Sequence, residues 1–279
     1  MRIDLRLVLM PWPIEYEFMQ YALAAGLIVG ATAPLVGVFL VQKRLSLMGD
    51  GIGHVAFAGV AVGLLLDIWP VWAALAVAVG GALLIEWLRS RREATGDLAL
   101  SLILYEGLAG GIVLVGKADA GNESVVPYLF GSLLTVDAGE LGLLLGMGLT
   151  IGIVLLITGR ALLATVIDEE SARVAGIPVG LCNNLLAVLT AVTVVAAMRA
   201  VGILLVAALM VLPVASSRLV ARSFRGIVIV SSAIGIGSVV LGLVAARAWD
   251  LAPGGAIVLT AGVFFLGAAA AGRRLQRAT

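Results

Sequence analysis

Asp50 and the chain's single histidine, His54, stand four residues apart in an otherwise apolar segment. On a helix that spacing places both side chains on one face, about one turn apart. A carboxylate oxygen and a neutral imidazole nitrogen are ordinary ligands for zinc, manganese or iron. Two ligands are too few for a closed tetrahedral site, but a second copy of the chain meeting the first on a twofold axis would supply two more. A structural carboxylate–imidazole hydrogen bond would use the same two groups, and both readings stand at this point. Glu106, beside Tyr105 in another apolar run, is the third candidate: it belongs to an ion path with the pair, or it is a hydrogen-bonded carboxyl at a helix interface.

The elements that must position these residues follow from composition. Hydrophobic residues make up 62% of the 279-residue chain and charged ones 13%, whereas soluble domains sit near 45–50% and about 25%. Such a chain lacks the polar surface that water requires, and lipid is the natural solvent for the excess. Nine segments approach the roughly 20 apolar residues that a bilayer span needs: 18–41, 48–66, 70–88, 98–116, 139–159, 179–198, 200–217, 227–246 and 254–271. They are long and continuous rather than short and alternating, so helices are expected, not barrel strands. The expected fold is an all-α polytopic bundle of eight or nine spans forming one membrane domain over 1–279. Glycine, 35 residues of it, suits close helix packing in lipid.

With nine spans, one side receives thirteen Lys and Arg and the other five. The richer side is expected to be cytoplasmic, which places the N-terminus outside and the C-terminus inside. Residues 1–17 read as a short pre-membrane segment. The run Leu5 to Met10 is broken by Pro11 and Pro13, and no small-residue cleavage site follows it, so a signal peptide is not expected. The loop Lys117–Asp137 carries Asn122, Glu123 and Pro127 and an amphipathic stretch over 128–134. On the other side, residues from Asp168 read DEESARVAGIP. Asp168, Glu169 and Glu170 suit a helix start and Gly176 and Pro178 its end, so a short polar helix carrying Arg173 is expected between two spans.

Other intramembrane polar groups read as structural. Glu86 can pair with Arg89, Asn183 and Asn184 glue helices, Cys182 fills space, and Pro34 and Pro213 kink their spans. No G-x-x-x-x-G-K-[ST] loop occurs, so ATP hydrolysis by this chain is not expected. One Cys and one His give no disulfide framework and little support for a metalloprotease or haem enzyme. A net charge of +1 offers no field for nucleic acid. No resident cofactor is expected.

Three motifs resemble those of the zinc, manganese and iron permeases of ABC importers. The first is GVFLVQKRLSLMGDGIGHVAFAGVAVG, Gly37 to Gly63, where Phe39, Leu40, Val41, Arg44, Ser46, Leu47, Met48, Gly49, Asp50, His54, Ala56, Gly59 and Val60 fit the family pattern, as does Pro34 upstream. The second is Asp168 to Pro178, and the third is AVGILLVAALMVLPVASSRLVA, Ala200 to Ala221. PYLFGSLLTVD, from Pro127, is also similar to the family's Phe-Gly-Ser segment. The resemblance implies a divalent metal ion as cargo, a second permease copy, two cytoplasmic ATP-binding subunits and an extracytoplasmic metal-binding protein. It implies that Asp50 and His54 lie on the metal path, and that Asp168 to Ile177 docks on the ATPase. Phe57 and Ala58 depart from the family's Leu-Pro. Gly51 and Gly53 depart too, and they are expected to loosen the helix start, since Gly costs about 1 kcal/mol against Ala. Rival readings are a permease for a metal chelate or siderophore, which would want a wide aromatic path that 6% aromatic residues hardly furnish, and a stand-alone ion-coupled carrier using Glu106, Asp50 and His54 as a relay.

Overall fold

A computed structural model describes residues 17–91, 96–118, 122–133 and 136–277. The pre-membrane segment expected over 1–17 lies almost wholly outside them. The described residues form helices and no strand: α1 Glu17–Gln42, α2 Met48–Leu65, α3 Pro70–Ser90, α4 Gly96–Lys117, α5 Asn122–Phe130, α6 Ala138–Ile167, α7 Glu169–Val174, α8 Val179–Val201, α9 Ile203–Val220, α10 Phe224–Trp249 and α11 Pro253–Arg277. Helices are the only open-ended solution in lipid because they pair their backbone polar groups internally. Their hydroxyls follow the same rule: Thr190 and Thr193, both buried, donate to Leu186 and Leu189 carbonyls one turn back.

Eight of the helices are long and apolar enough to span a bilayer. The ninth expected span is α9, whose 18 residues cover about 27 Å at 1.5 Å per residue. It is as short as α2 and packs on α1, α2, α10 and α11 in the interior. The expected kinks at Pro34 and Pro213 fall inside α1 and α9, which remain continuous helices. The expected loop over 117–137 contains α5, a nine-residue helix running through Pro127.

α1, α2 and α8 form the buried centre, while α4, α6 and α11 are mostly exposed. The exposed faces carry large apolar side chains such as Val113, Leu156, Ile157 and Leu259, as a lipid-facing rim requires. Close approaches lock the interior: a Cβ on Gly235 of α10 would lie 2.1 Å from the Gly30 carbonyl oxygen of α1.

Candidate metal path and coupling helix

α2 carries Asp50 and His54, and packing dictates which way they face. Twelve of its 18 residues are buried. The residues left open include Asp50, His54, Ala58 and Val62, which recur every four positions along one winding stripe. The pair therefore lies on the partly open face of α2, with the Asp50 side chain 38% and the His54 side chain 12% exposed among the described residues. Gly51 and Gly53 do not loosen the helix, which is continuous from Met48. They are buried, and a Cβ on Gly53 would lie 2.9 Å from Ile203 Cγ2, so glycine here admits α9 closely.

His54 sits near mid-bundle. Its neighbour across the α2–α4 contact is Gly107, where a Cβ would stand 3.0 Å from the His54 carbonyl carbon and 2.9 Å from the Val55 nitrogen. Gly107 is halfway along the 22-residue α4, about 16 Å from its first residue. His54 Nε2 is 4.0 Å from Asp50 Oδ1, outside hydrogen-bond reach. His54 Nδ1 is buried with no hydrogen-bond partner. The structural hydrogen bond that competed with a ligand role is thus not formed. Glu106 is exposed on α4. Among the described residues no three His, Cys, Asp or Glu side chains gather as a metal site, so one chain does not unite Glu106 with the pair as ligands.

The polar helix expected between spans is α7, six residues long and shorter than the expected 168–177. Asp168 caps it: its carboxylate accepts from the backbone N–H groups of Glu170 and Ser171, at 3.0 and 3.2 Å, and from the Ser171 hydroxyl. The Ser171 hydroxyl foremost, and then these amides, hold the Asp168 carboxyl below its usual range. Gly176, φ +82°, ends the helix, with Ile177 N–H donating to Ala172 O and Gly176 N–H to Arg173 O. Pro178 then opens α8. Ala172 is the buried contact of α7, and Glu170 and Arg173 sit on its more open surface.

Sequence reasoning missed the partner of Glu169. It pairs at 2.8 Å with Lys43, whose side chain is only 7% exposed. Lys43 also donates to Asn183 Oδ1, and Asn183 Nδ2 donates to Glu169 Oε1 at 3.3 Å. Burial pushes the Glu169 carboxyl upward, but hydrogen bonds and charge from Lys43, aided by Asn183, leave it below its usual range. The only signal in sequence was a basic residue just before α2. Glu86 pairs with Arg89 as expected, buried beside a cavity of about 800 Å³ that Glu169, Arg173 and Asn184 also line. At the opposite end of the bundle Arg199 pairs with Glu140 and lies 5.1 Å from the Tyr128 ring centre. Cys182 is buried, as expected.

Residues 15–272 match the description "ABC 3 transport family". The chain belongs to this family. Among its relatives, "Manganese import system permease protein ScaB" of Streptococcus parasanguinis is 32% identical over 252 residues, 90% of either chain. "High-affinity zinc uptake system membrane protein ZnuB" of Haemophilus influenzae is 31% identical over 253 residues, 90% of this chain and 96% of that one. The solved structure "PsaBC from Streptococcus pneumoniae in complex with Fab" contains a chain 33% identical, with a TM-score of 0.84 over 92% of both chains. The membership drawn from the motifs is borne out. Like other ABC 3 chains, this one is a multi-pass membrane protein and a transport component.

Proposed function

We propose that this chain is the membrane permease subunit of an ATP-binding-cassette importer that moves divalent transition-metal ions, manganese or zinc foremost, into the cytoplasm by alternating access. The names of its relatives support the class. The observation that carries the ion path is the open stripe of α2, where Asp50 and a buried, unpartnered His54 nitrogen lie near mid-bundle. A cation held between Asp50 Oδ1 and His54 Nε2, 4.0 Å apart, would give both groups the partner they do not give each other. One chain offers two ligands there, and a second copy packed on the stripe would complete four.

The ion is cargo, and no resident cofactor takes part. ATP hydrolysis belongs to separate cytoplasmic subunits that dock on Asp168, Glu169, Glu170, Arg173, Gly176 and Pro178. An extracytoplasmic metal-binding protein delivers the ion. The thirteen-to-five bias of Lys and Arg supports an N-terminus outside and a C-terminus inside, with α7 facing the cytoplasm. The chain acts as one permease domain over 1–279.

The test is elemental analysis of cells whose manganese or zinc uptake depends on this chain. Asp50→Asn and His54→Gln, each present in the membrane at wild-type level, are expected to lower uptake at least tenfold. Full uptake by both variants would sink the ligand assignment. Uptake that persists without an ATP-binding partner would replace the importer with a lone carrier, and uptake of chelated metal alone would change the cargo.

A further inference from the structure

We infer that Lys43, Glu169 and Asn183 form the link that transmits movement of the coupling helix to the metal-bearing helix. The inference rests on the importer reading above and names how its two ends communicate. α7 is held mainly by its sequence neighbours α6 and α8. Glu169, at its first position, reaches a side chain 126 residues earlier: the Lys43 ammonium, 2.8 Å away and buried at 7% exposure. Asn183, in the second turn of α8, bridges the two by accepting from Lys43 and donating to Glu169.

The geometry on the other side of Lys43 makes this tie directional. α1 ends with Leu45 N–H donating to Leu40 O and Arg44 N–H to Val41 O. Arg44 is held at φ +62°, a conformation most side chains avoid. That closed turn leaves little slack, and Leu45, which closes it, and Met48 beyond it are buried. α2 begins at Met48 and bears Asp50 in its first turn and His54 a turn later. The Lys43 ammonium is buried at 7% exposure while Glu169 is 44% exposed, so the ammonium is the group that loses most when the pair is separated. When the ATPase subunits displace α7, Lys43 follows Glu169 and draws the start of α2 with it. The ligand pair moves as a consequence.

The test uses the whole transporter, permease with ATPase subunits and the extracytoplasmic metal-binding protein, in proteoliposomes with Mn²⁺ and Zn²⁺ assayed in parallel. Lys43 is buried, so Lys43→Met leaves the ATPase-facing surface intact. Uptake per ATP hydrolysed is expected to fall at least fivefold in Lys43→Met and in Glu169→Gln, and no further in the double variant. The exchanged pair Lys43→Glu with Glu169→Lys is expected to recover part of the ratio. A reporter on the open stripe, Ala58→Cys, reads α2 directly, with native Cys182 buried and quiet. ATP is expected to change thiol labelling at position 58 in the otherwise wild-type protein and to have less than a twofold effect with Lys43→Met. An ATP response that survives Lys43→Met, or fully additive losses in the double variant, would overturn the link alone. Absence of ATP-driven ion uptake in the unaltered transporter would overturn the importer reading and the link together.

Discussion

Substituting Gly107 tests whether the α2–α4 contact sets the position of the Asp50–His54 pair. Alanine at 107 and alanine at 110 make the same chemical change on the same helix. Each gains up to about 1 kcal/mol of helix propensity. At 110 the added methyl meets nothing within 4 Å, so that gain stands. At 107 it would meet the Val55 nitrogen at 2.9 Å and the His54 carbonyl carbon at 3.0 Å, both of them backbone. Ordinary contact begins near 3.4 Å, so α4 must retreat by about 0.5 Å or α2 must move. Overpacking of this kind costs about 1–3 kcal/mol. Gly107→Ala is therefore expected to be less stable than Gly110→Ala by about 1–3 kcal/mol. At about 2–4 °C per kcal/mol, this is a gap of several degrees. Thermal unfolding of the purified chain in mild detergent measures the gap, and ion uptake measures the site. Gly107→Ala is expected to lose uptake several-fold while Gly110→Ala keeps it. Equal melting temperatures for the two, or full uptake by Gly107→Ala, would refute the reasoning.

Other outcomes follow from the same structure. Gly176→Ala forces a side chain into positive φ at about 1–2 kcal/mol with no clash to relieve, since its surroundings are open, so ATPase binding in a pull-down should weaken while the spans stay intact. Asp168→Ala frays α7, and Asp168→Asn keeps an oxygen acceptor and most of the coupling, read as transport-linked ATP hydrolysis. The folded-state pKa values of Asp168 and Glu169 lie below their unfolded values, so their contribution to holding α7 is full above the ordinary carboxylate range and is lost as pH falls through the depressed values; hydrogen exchange of the α7 amides should rise only in that acid range. Gly202→Ala would set a methyl 2.4 Å from the Phe130 carbonyl carbon at a residue already at φ +92°, and its yield of folded protein should drop sharply.

Composition and periodicity alone pointed to the solvent, the helical class and the run of spans, because about 20 apolar residues in a row have one stable fate in lipid. It also marked α7, whose start and stop signals are local: Asp168 before the helix and Gly176 after it. The four-residue spacing put Asp50 and His54 on one face for the same reason. Which face that was, only the tertiary structure decided. Twelve buried neighbours on α2 leave the Asp50–His54 stripe as its partly open side, and no local signal carries that outcome. Glu106 was a third candidate in sequence, and packing of α4 on α2 through Gly107 leaves it exposed and, among the described residues, outside any three-ligand cluster. Lys43 looked like a topology marker, and its partners Glu169 and Asn183 lie 126 and 140 residues away. Periodicity and capping act over a few residues, whereas pairs that far apart meet only when the whole bundle has closed around them.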